Sequence, residues 1–233
     1  MTQNFFITST GTEIGKTMVT ATLGFQLRAT GSSVNAIKPI ISGIPASKNL
    51  AEDMIGTDTA AILDSLDLPL NRKEIDQTSP LRYKAPLAPS MAAKLEGKLL
   101  DYSEVLSICR AAINKNDTTL IEGVGGSFVP LTNDKLVADW IADLQIPSIL
   151  VAGSYLGTIS HTIATVDAMR IRGLPIRSIV ISESGGEDHP DLNETAREIR
   201  QHTNLRTVLL PRINGDCPWR RAPNILSALE NSE

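Results

Sequence analysis

Residues 8–17, TSTGTEIGKT, bring small residues, a lysine and hydroxyls into one short turn. The stretch ends in Gly15-Lys16-Thr17, the close of a phosphate-binding loop of the form G-x-x-x-x-G-K-[ST], but Thr10 stands where that form has its first glycine. Anion binding is the chemistry such a turn supports. Backbone N–H groups at the start of a helix point at the ligand, and the helix dipole favours negative charge. Lys16 adds a mobile cation for terminal phosphates, and Thr17 offers a hydroxyl to Mg2+. Gly11, next to Thr10, can supply a positive φ, so the loop is expected to survive with a differently shaped turn. Glu13 is out of place beside polyphosphate unless a cation or amine intervenes. It therefore points to a metal or an amine substrate near the loop; the alternative is a solvent-facing or helix-capping carboxylate.

A loop of this kind needs a strand before it and a helix after it. The pattern predicts strands over 4–8, 33–39, 118–121 (ending at Glu122), 147–152, 176–182 and 206–210. It predicts helices over 16–30, 54–65, 88–96, 102–114, 158–172, 192–203 and 222–231, with Gly31 and Gly173 as stops. Residues 46–58 and 182–190 read as mobile loops. Strand–helix alternation with apolar, non-alternating strands predicts a single-domain, doubly wound α/β fold with a mostly parallel sheet covered on both faces. Ligands of such sheets bind at the carboxyl ends of the strands. The residues just past those ends are unusually polar: Thr12, Glu13, Lys16, Thr17, Lys38, Ser42, Glu122, Ser154, Ser182 and Glu183.

The 233 residues carry a net charge of −4, are 42% hydrophobic, and include two cysteines outside any C-x-x-C pair. The acidic balance argues against a sequence-independent grip on nucleic acid. No apolar run approaches the length of a membrane span. The cysteine usage fits a reducing, cytoplasmic setting. Glu122, at the end of an apolar strand, is expensive to bury without a partner, so a metal-linked role is favoured over a structural one. Asp58 reads either as a metal-side carboxylate or as the N-cap of its helix. Trp140 reads as core, and His161 as a structural histidine.

Several motifs in order resemble the dethiobiotin synthetase family, members of the P-loop NTPase superfamily. TSTGTEIGKT is similar to the family's T-G-T-D-T-x-V-G-K-T; AIKPIISG (36–43) to K-P-V-x-S-G; LIEGVGGSFVPL (120–131) to V-E-G-A-G-G-x-x-x-P-L. GTDTA (56–60), YKAPLAPSMAAKLEG (83–97), VADW (137–140) and ILVAGSYLGTISH (149–161) complete the run over nearly the whole chain. The resemblance implies a homodimeric, Mg2+- and ATP-dependent ligase that closes the ureido ring of dethiobiotin from 7,8-diaminononanoate and CO2. Carbamate and carbamic-phosphoric anhydride are the implied intermediates. Lys38, Lys16 and Thr12 are the implied catalytic residues, and Thr17, Asp58 and Glu122 the metal ligands. Nucleotide contacts are implied for Glu13, Ile14, Gly15, Lys16, Thr17, Met18, Asp58, Glu122, Gly123, Val124, Gly125, Ser182, Glu183, Pro211, Arg212 and Ile213. Substrate contacts are implied for Thr12, Ser42, Tyr155, Leu156, Gly157 and Ser160, the last four reaching the diamine's carboxylate from a neighbouring subunit. Gly125-Gly126 leaves room for close backbone approach.

The chain departs from the family at Pro89-Ser90, where a P-H pair is common, and at Ser182-Glu183, where an N-D-type pair reads adenine. Serine lacks the paired donor and acceptor of an amide. The partitioning ATPases of the same fold are a rival. They carry a bridging lysine at the position of Gly11, and no lysine lies in residues 8–15.

Overall fold

Successive residues of the central strands face opposite helix layers, and both layers are apolar. Phe5 and Ile7 pack on one side of the sheet and Phe6 on the other; Leu120 and Ile121, and Leu150 and Val151, divide in the same way. This is why these strands read as unbroken hydrophobic runs.

The computed structural model describes residues 3–45, 49–113, 115–185 and 190–230. The chain opens with β1 (Gln3–Ser9), α1 (Lys16–Ala29), β2 (Val34–Ile37) and β3 (Ile40–Ser42). Short helices α2 (Leu50–Asp53), α3 (Asp58–Ser65) and α4 (Arg72–Thr78) lead to β4 (Leu81–Tyr83). Then come α5 (Pro89–Leu95), α6 (Tyr102–Ala112), β5 (Thr118–Glu122), α7 (Val137–Leu144) and β6 (Ser148–Ala152). The chain closes with α8 (Thr158–Ile171), β7 (Ile176–Ser182), α9 (Leu192–Thr203) and β8 (Thr207–Leu210). Six strands form one sheet in the order β2-β5-β1-β6-β7-β8, and every pairing in it is parallel. Helices α1 and α3 cover one face, and α6, α7, α8 and α9 the other. The doubly wound reading is borne out.

Register sets the site. Ile37 of β2 pairs with Ile121 of β5, and Ile7 of β1 pairs with Glu122. Lys38, just past β2, therefore lies beside Glu122, at the end of the strand that separates β2 from the loop after β1. A second small parallel sheet, β3 beside β4, carries Ser42 forward from Lys38.

Several expectations are corrected. No α-helix occupies 222–230: a single 3-10 turn, Leu226–Leu229, stands there, with another, Pro218–Arg221, just before it. Ala222 precedes Pro223 and is extended, so the expected start at Ala222 is not helical. The helix predicted over 54–65 begins only at Asp58, with Gly56 at φ 77° just before it. Thr57, not Asp58, is its N-cap: the Thr57 hydroxyl accepts from the Ala60 N–H. Part of the loop read over 46–58 is α2, and positions 46–48, 114, 186–189 and 231 lie outside the described residues. Strands β3 and β4 and helices α4 and α7 were not anticipated, being three to eight residues long.

Trp140 is core as expected: fully buried, its ring meets Phe6 edge-on at 4.8 Å. A Cβ on Gly123 would lie 2.8 Å from the Phe6 ring, so only glycine lets the chain pass there after Glu122 without displacing it. Trp140→Ala is expected to cost about 3–5 kcal/mol in urea unfolding; a loss under about 1 kcal/mol would show that this stack does not support the sheet.

Candidate active site

The loop between β1 and α1 is tied down from behind before it meets any ligand. Ser9 Oγ donates to the carbonyls of Gly11 (2.5 Å) and Gly125 (3.1 Å), and Thr8 Oγ1 and Ser127 Oγ lie 3.0 Å apart. The Ser127 N–H donates to the Ser9 carbonyl at 2.8 Å. A Cβ on Gly126 would come within 3.2 Å of Gly11 Cα and N. The close backbone approach at Gly126 is therefore to the loop itself. Ser9 and Ser127 were missed in the sequence. Their signal is a pair of small hydroxyls ending an apolar strand, and another directly after two glycines.

Gly15 caps α1 at φ 99°, and Glu13 holds φ 58°, a left-handed value that costs a non-glycine residue energy. The turn expected from Gly11 alone is thus built at Glu13 and Gly15. A Cβ on Gly15 would fall 2.4 Å from Ser182 Oγ, so Ser182 abuts the loop. Glu13 and Thr12 are exposed at the rim, and no side chain caps α1 at Gly15, so Glu13 is not its helix cap.

Behind this rim sits a buried charge cluster. Lys38 Nζ donates to Glu122 Oε1 at 2.7 Å and also to Asp58 Oδ2. Thr17 Oγ1 donates to the same Glu122 Oε1 at 2.7 Å. Glu122 is fully buried, and its Oε2 has no hydrogen-bond partner among the described residues. Lys16 is buried too, its Nζ 3.0 Å from Ser9 Oγ and 3.3 Å from the Gly11 carbonyl. Burial opposes the charge on Lys38, but Glu122 and Asp58 outweigh it and hold this ammonium above its ordinary pKa. Burial likewise works against Asp58, and Lys38 more than reverses it, keeping that carboxyl below the usual range. Lys16 has weaker compensation; burial, only partly offset by Glu122, pushes it down to about 8.

In front of the cluster lies a cleft of about 620 Å3, within the range of small-molecule sites. Thr12, Glu13, Gly15, Lys16, Thr17, Lys38, Ser42, Asp58, Val124 and Gly125 line it. The segment from Pro86 to Pro89, part of the proline-rich stretch 83–97 that the resemblance includes but for which no contact was expected, also lines it. A second cleft of about 460 Å3 continues past Glu13, Ile14 and Gly15. Met18, Ser182, Glu183, Pro211, Arg212 and Ile213 line it. Glu183 Oε2 accepts from the Arg212 N–H at 2.7 Å, and Ser154 and Ser184 exchange reciprocal backbone–hydroxyl bonds of 2.9 and 3.0 Å below it. Tyr155, Leu156, Gly157 and Ser160 stand apart, lining neither cleft. They surround the N-terminus of α8, where Leu156 is 86% exposed and Tyr155 Oη lies 2.9 Å from His161 Nδ1.

A family model described as an AAA domain matches residues 3–220. The ATP-dependent dethiobiotin synthetase BioD of Methylobacterium nodulans is 38% identical over 213 residues, covering 90% of this chain and 93% of its own. That of Bacillus subtilis strain 168 is 40% identical over 192 residues, covering 82% and 78%. The chain belongs to the dethiobiotin synthetase family. Among solved structures, the septum site-determining protein MinD of Pyrococcus horikoshii matches with TM-score 0.52 and 18% identity, covering 91% of this chain and 82% of its own. A ParA family ATPase of Chlorobium tepidum matches with TM-score 0.51 and 17% identity, covering 93% and 86%. These two likenesses extend to the fold alone.

Lys16 gives a pH test. Anion binding favours its protonated form, which prevails below about 8. Nucleotide affinity should therefore hold between pH 6.5 and 7.5 and fall as pH rises through about 8, read by titration calorimetry. A flat profile to pH 9.5 would separate Lys16 from the phosphates.

Proposed function

We propose that this chain is an ATP-dependent dethiobiotin synthetase. It joins 7,8-diaminononanoate and CO2 as a carbamate, transfers the γ-phosphoryl group of ATP to it, and closes the ureido ring as the second amine displaces phosphate. The observation that carries the reading is the pairing of Lys38 with Glu122 and Asp58 directly beside the loop, in a cleft that continues into a second one. A carbamate meeting a triphosphate gathers negative charge, and preorganised cations are the main catalytic demand.

Lys38 is placed to steady the carbamate and the transferring phosphoryl group, and Lys16 to neutralise terminal phosphates. Thr12 and Ser42 face the cleft where a hydrogen bond would orient the carbamate or the attacking amine. The backbone from Glu13 to Met18 would wrap the phosphates. The base would rest in the second cleft, bounded by Ser182, Glu183, Pro211, Arg212 and Ile213. Gly123, Val124 and Gly125 would close the floor after Glu122. With its amide-bearing pair replaced by Ser182-Glu183, the second cleft offers no side-chain amide to adenine.

Thr17, Asp58 and Glu122 fit Mg2+. All three offer oxygen, and the unpartnered Oε2 of Glu122 is a buried acceptor awaiting a cation. Among the described residues no group of three or more His, Cys, Asp and Glu forms a cage. That suits an ion usually held by one or two carboxylates together with substrate phosphates. When bound, Mg2+ draws off the charge that develops on the transferred group.

The α8 N-terminus, with Tyr155, Leu156, Gly157 and Ser160, would serve the diamine's carboxylate in a second copy of the chain, which makes the working unit a homodimer. No described helix is long and apolar enough to cross a membrane, and with the two free cysteines we place the enzyme in the cytoplasm.

Protein supplied with diaminononanoate, bicarbonate, Mg2+ and ATP should release phosphate only when the diamine is present. Phosphate release indifferent to the diamine would defeat the reading. Lys38→Ala should cut turnover at least about 100-fold while nucleotide still binds, the scale of losing a preorganised charge contact. Turnover near that of the unaltered protein would remove Lys38 from the chemistry.

A further inference from the structure

Lys16, Lys38, Asp58 and Glu122 form a closed account of charge: two cations against two anions, with Glu122 and Lys38 almost wholly buried. The Lys38 ammonium bonds both carboxylates of the presumed metal site at once, through Asp58 Oδ2 and Glu122 Oε1. The side chain of Lys38 is 6% exposed, so little water intervenes to screen it. A divalent cation held by the same two carboxylates, at Glu122 through the free Oε2, would lie within a few ångströms of that ammonium and leave the cluster with two uncompensated positive charges. Like charges at such range repel, the more so where burial limits screening.

We propose that Lys38 competes directly with the metal for Asp58 and Glu122, so that the free protein excludes a lone divalent cation and admits one only with a polyphosphate. The inference rests on the metal-site reading above and adds an order to it. A polyphosphate at the loop restores the balance of charge. It also gives Lys38 somewhere to go, since Lys38 lines the same cleft as Gly15 and Lys16. Thr17 marks the junction: its hydroxyl now donates to the Glu122 oxygen that Lys38 also holds, and it opens α1 at the phosphate end. Lys38 thus keeps the buried Glu122 and the half-exposed Asp58 neutralised, and its release is coupled to nucleotide arrival. Lys16 differs, since its bonds run to Ser9 and Gly11 and not to either carboxylate.

The test is Mn2+ binding by electron paramagnetic resonance to the nucleotide-free protein, with Lys38→Met and Lys16→Met alongside, each checked for folding by circular dichroism. Lys38→Met should bind Mn2+ at least about tenfold more tightly than the unaltered protein, and Lys16→Met should gain far less. If the unaltered protein binds Mn2+ as tightly as Lys38→Met, the competition does not exist. Equal gains in the two variants would mean a diffuse field instead of shared carboxylates, and would overturn the proposal. Should Lys38→Met fail to fold, Lys38→Gln, polar but uncharged, carries the same expectation. A separate outcome tests the underlying reading: if Mn2+ and ATP together produce no ternary enhancement of water proton relaxation with the unaltered protein, the metal site is elsewhere and this inference falls with it.

Discussion

A fully buried carboxylate at the end of an inner strand constrains everything around it. Glu122 closes β5, between β1 and β2, with apolar residues before it and no surface exposed to solvent. Left alone, such a charge would be prohibitive, and breaking a buried pair typically costs about 3–5 kcal/mol. Its partners must therefore arrive together: Lys38 from the end of β2, Thr17 from the start of α1, and Asp58, through Lys38, from the start of α3. Three segments far apart in sequence thus meet at one carboxylate oxygen, Glu122 Oε1, two of them directly and the third through Lys38. Replacing the cluster by apolar residues would serve stability as well or better. That the charges are kept, facing a cleft, points to chemistry.

The sheet order turns this local demand into a rim. With β1 central, the loop after it is flanked on one side by Glu122 and Lys38, and on the other by the ends of β6, β7 and β8. The charged side meets the reacting groups; the other side offers the second cleft. The loop itself is braced by Ser9, Ser127 and the glycines after Glu122. Its front can then hold the strained backbone of Glu13 while its back stays fixed.

Much of this was legible in the sequence. Long apolar strands, the Gly15-Lys16-Thr17 ending and the polar residues at strand ends need only local periodicity and one rule of α/β topology. Lys38 and Glu122 stand out as charges just past apolar strands, and Asp58 through the resemblance of GTDTA to the family's metal-side segment. β3, β4 and α4 escaped, being too short to show a period. The final helix was wrongly expected because the pattern over 222–231 is helical in composition, while the chain there forms only the 3-10 turn Leu226–Leu229. The loop's bracing stayed hidden for another reason. Ser127 matters through contacts with Thr8 and Ser9, more than a hundred positions away, and no window spans them. Tyr155–Ser160 illustrate the last kind of gap: a segment whose proposed partner is another copy has no counterpart within one chain.

The central claim is that Glu122 is buried for a cation, and Glu122→Gln tests it most directly. The amide keeps the shape and removes the charge, and Lys38 retains Asp58. With ATP present, the altered protein should remain folded yet hold Mn2+ at least about tenfold more weakly, the loss expected when a charged ligand is removed from a poorly solvated site. Undiminished Mn2+ binding by a folded Glu122→Gln protein would contradict the account.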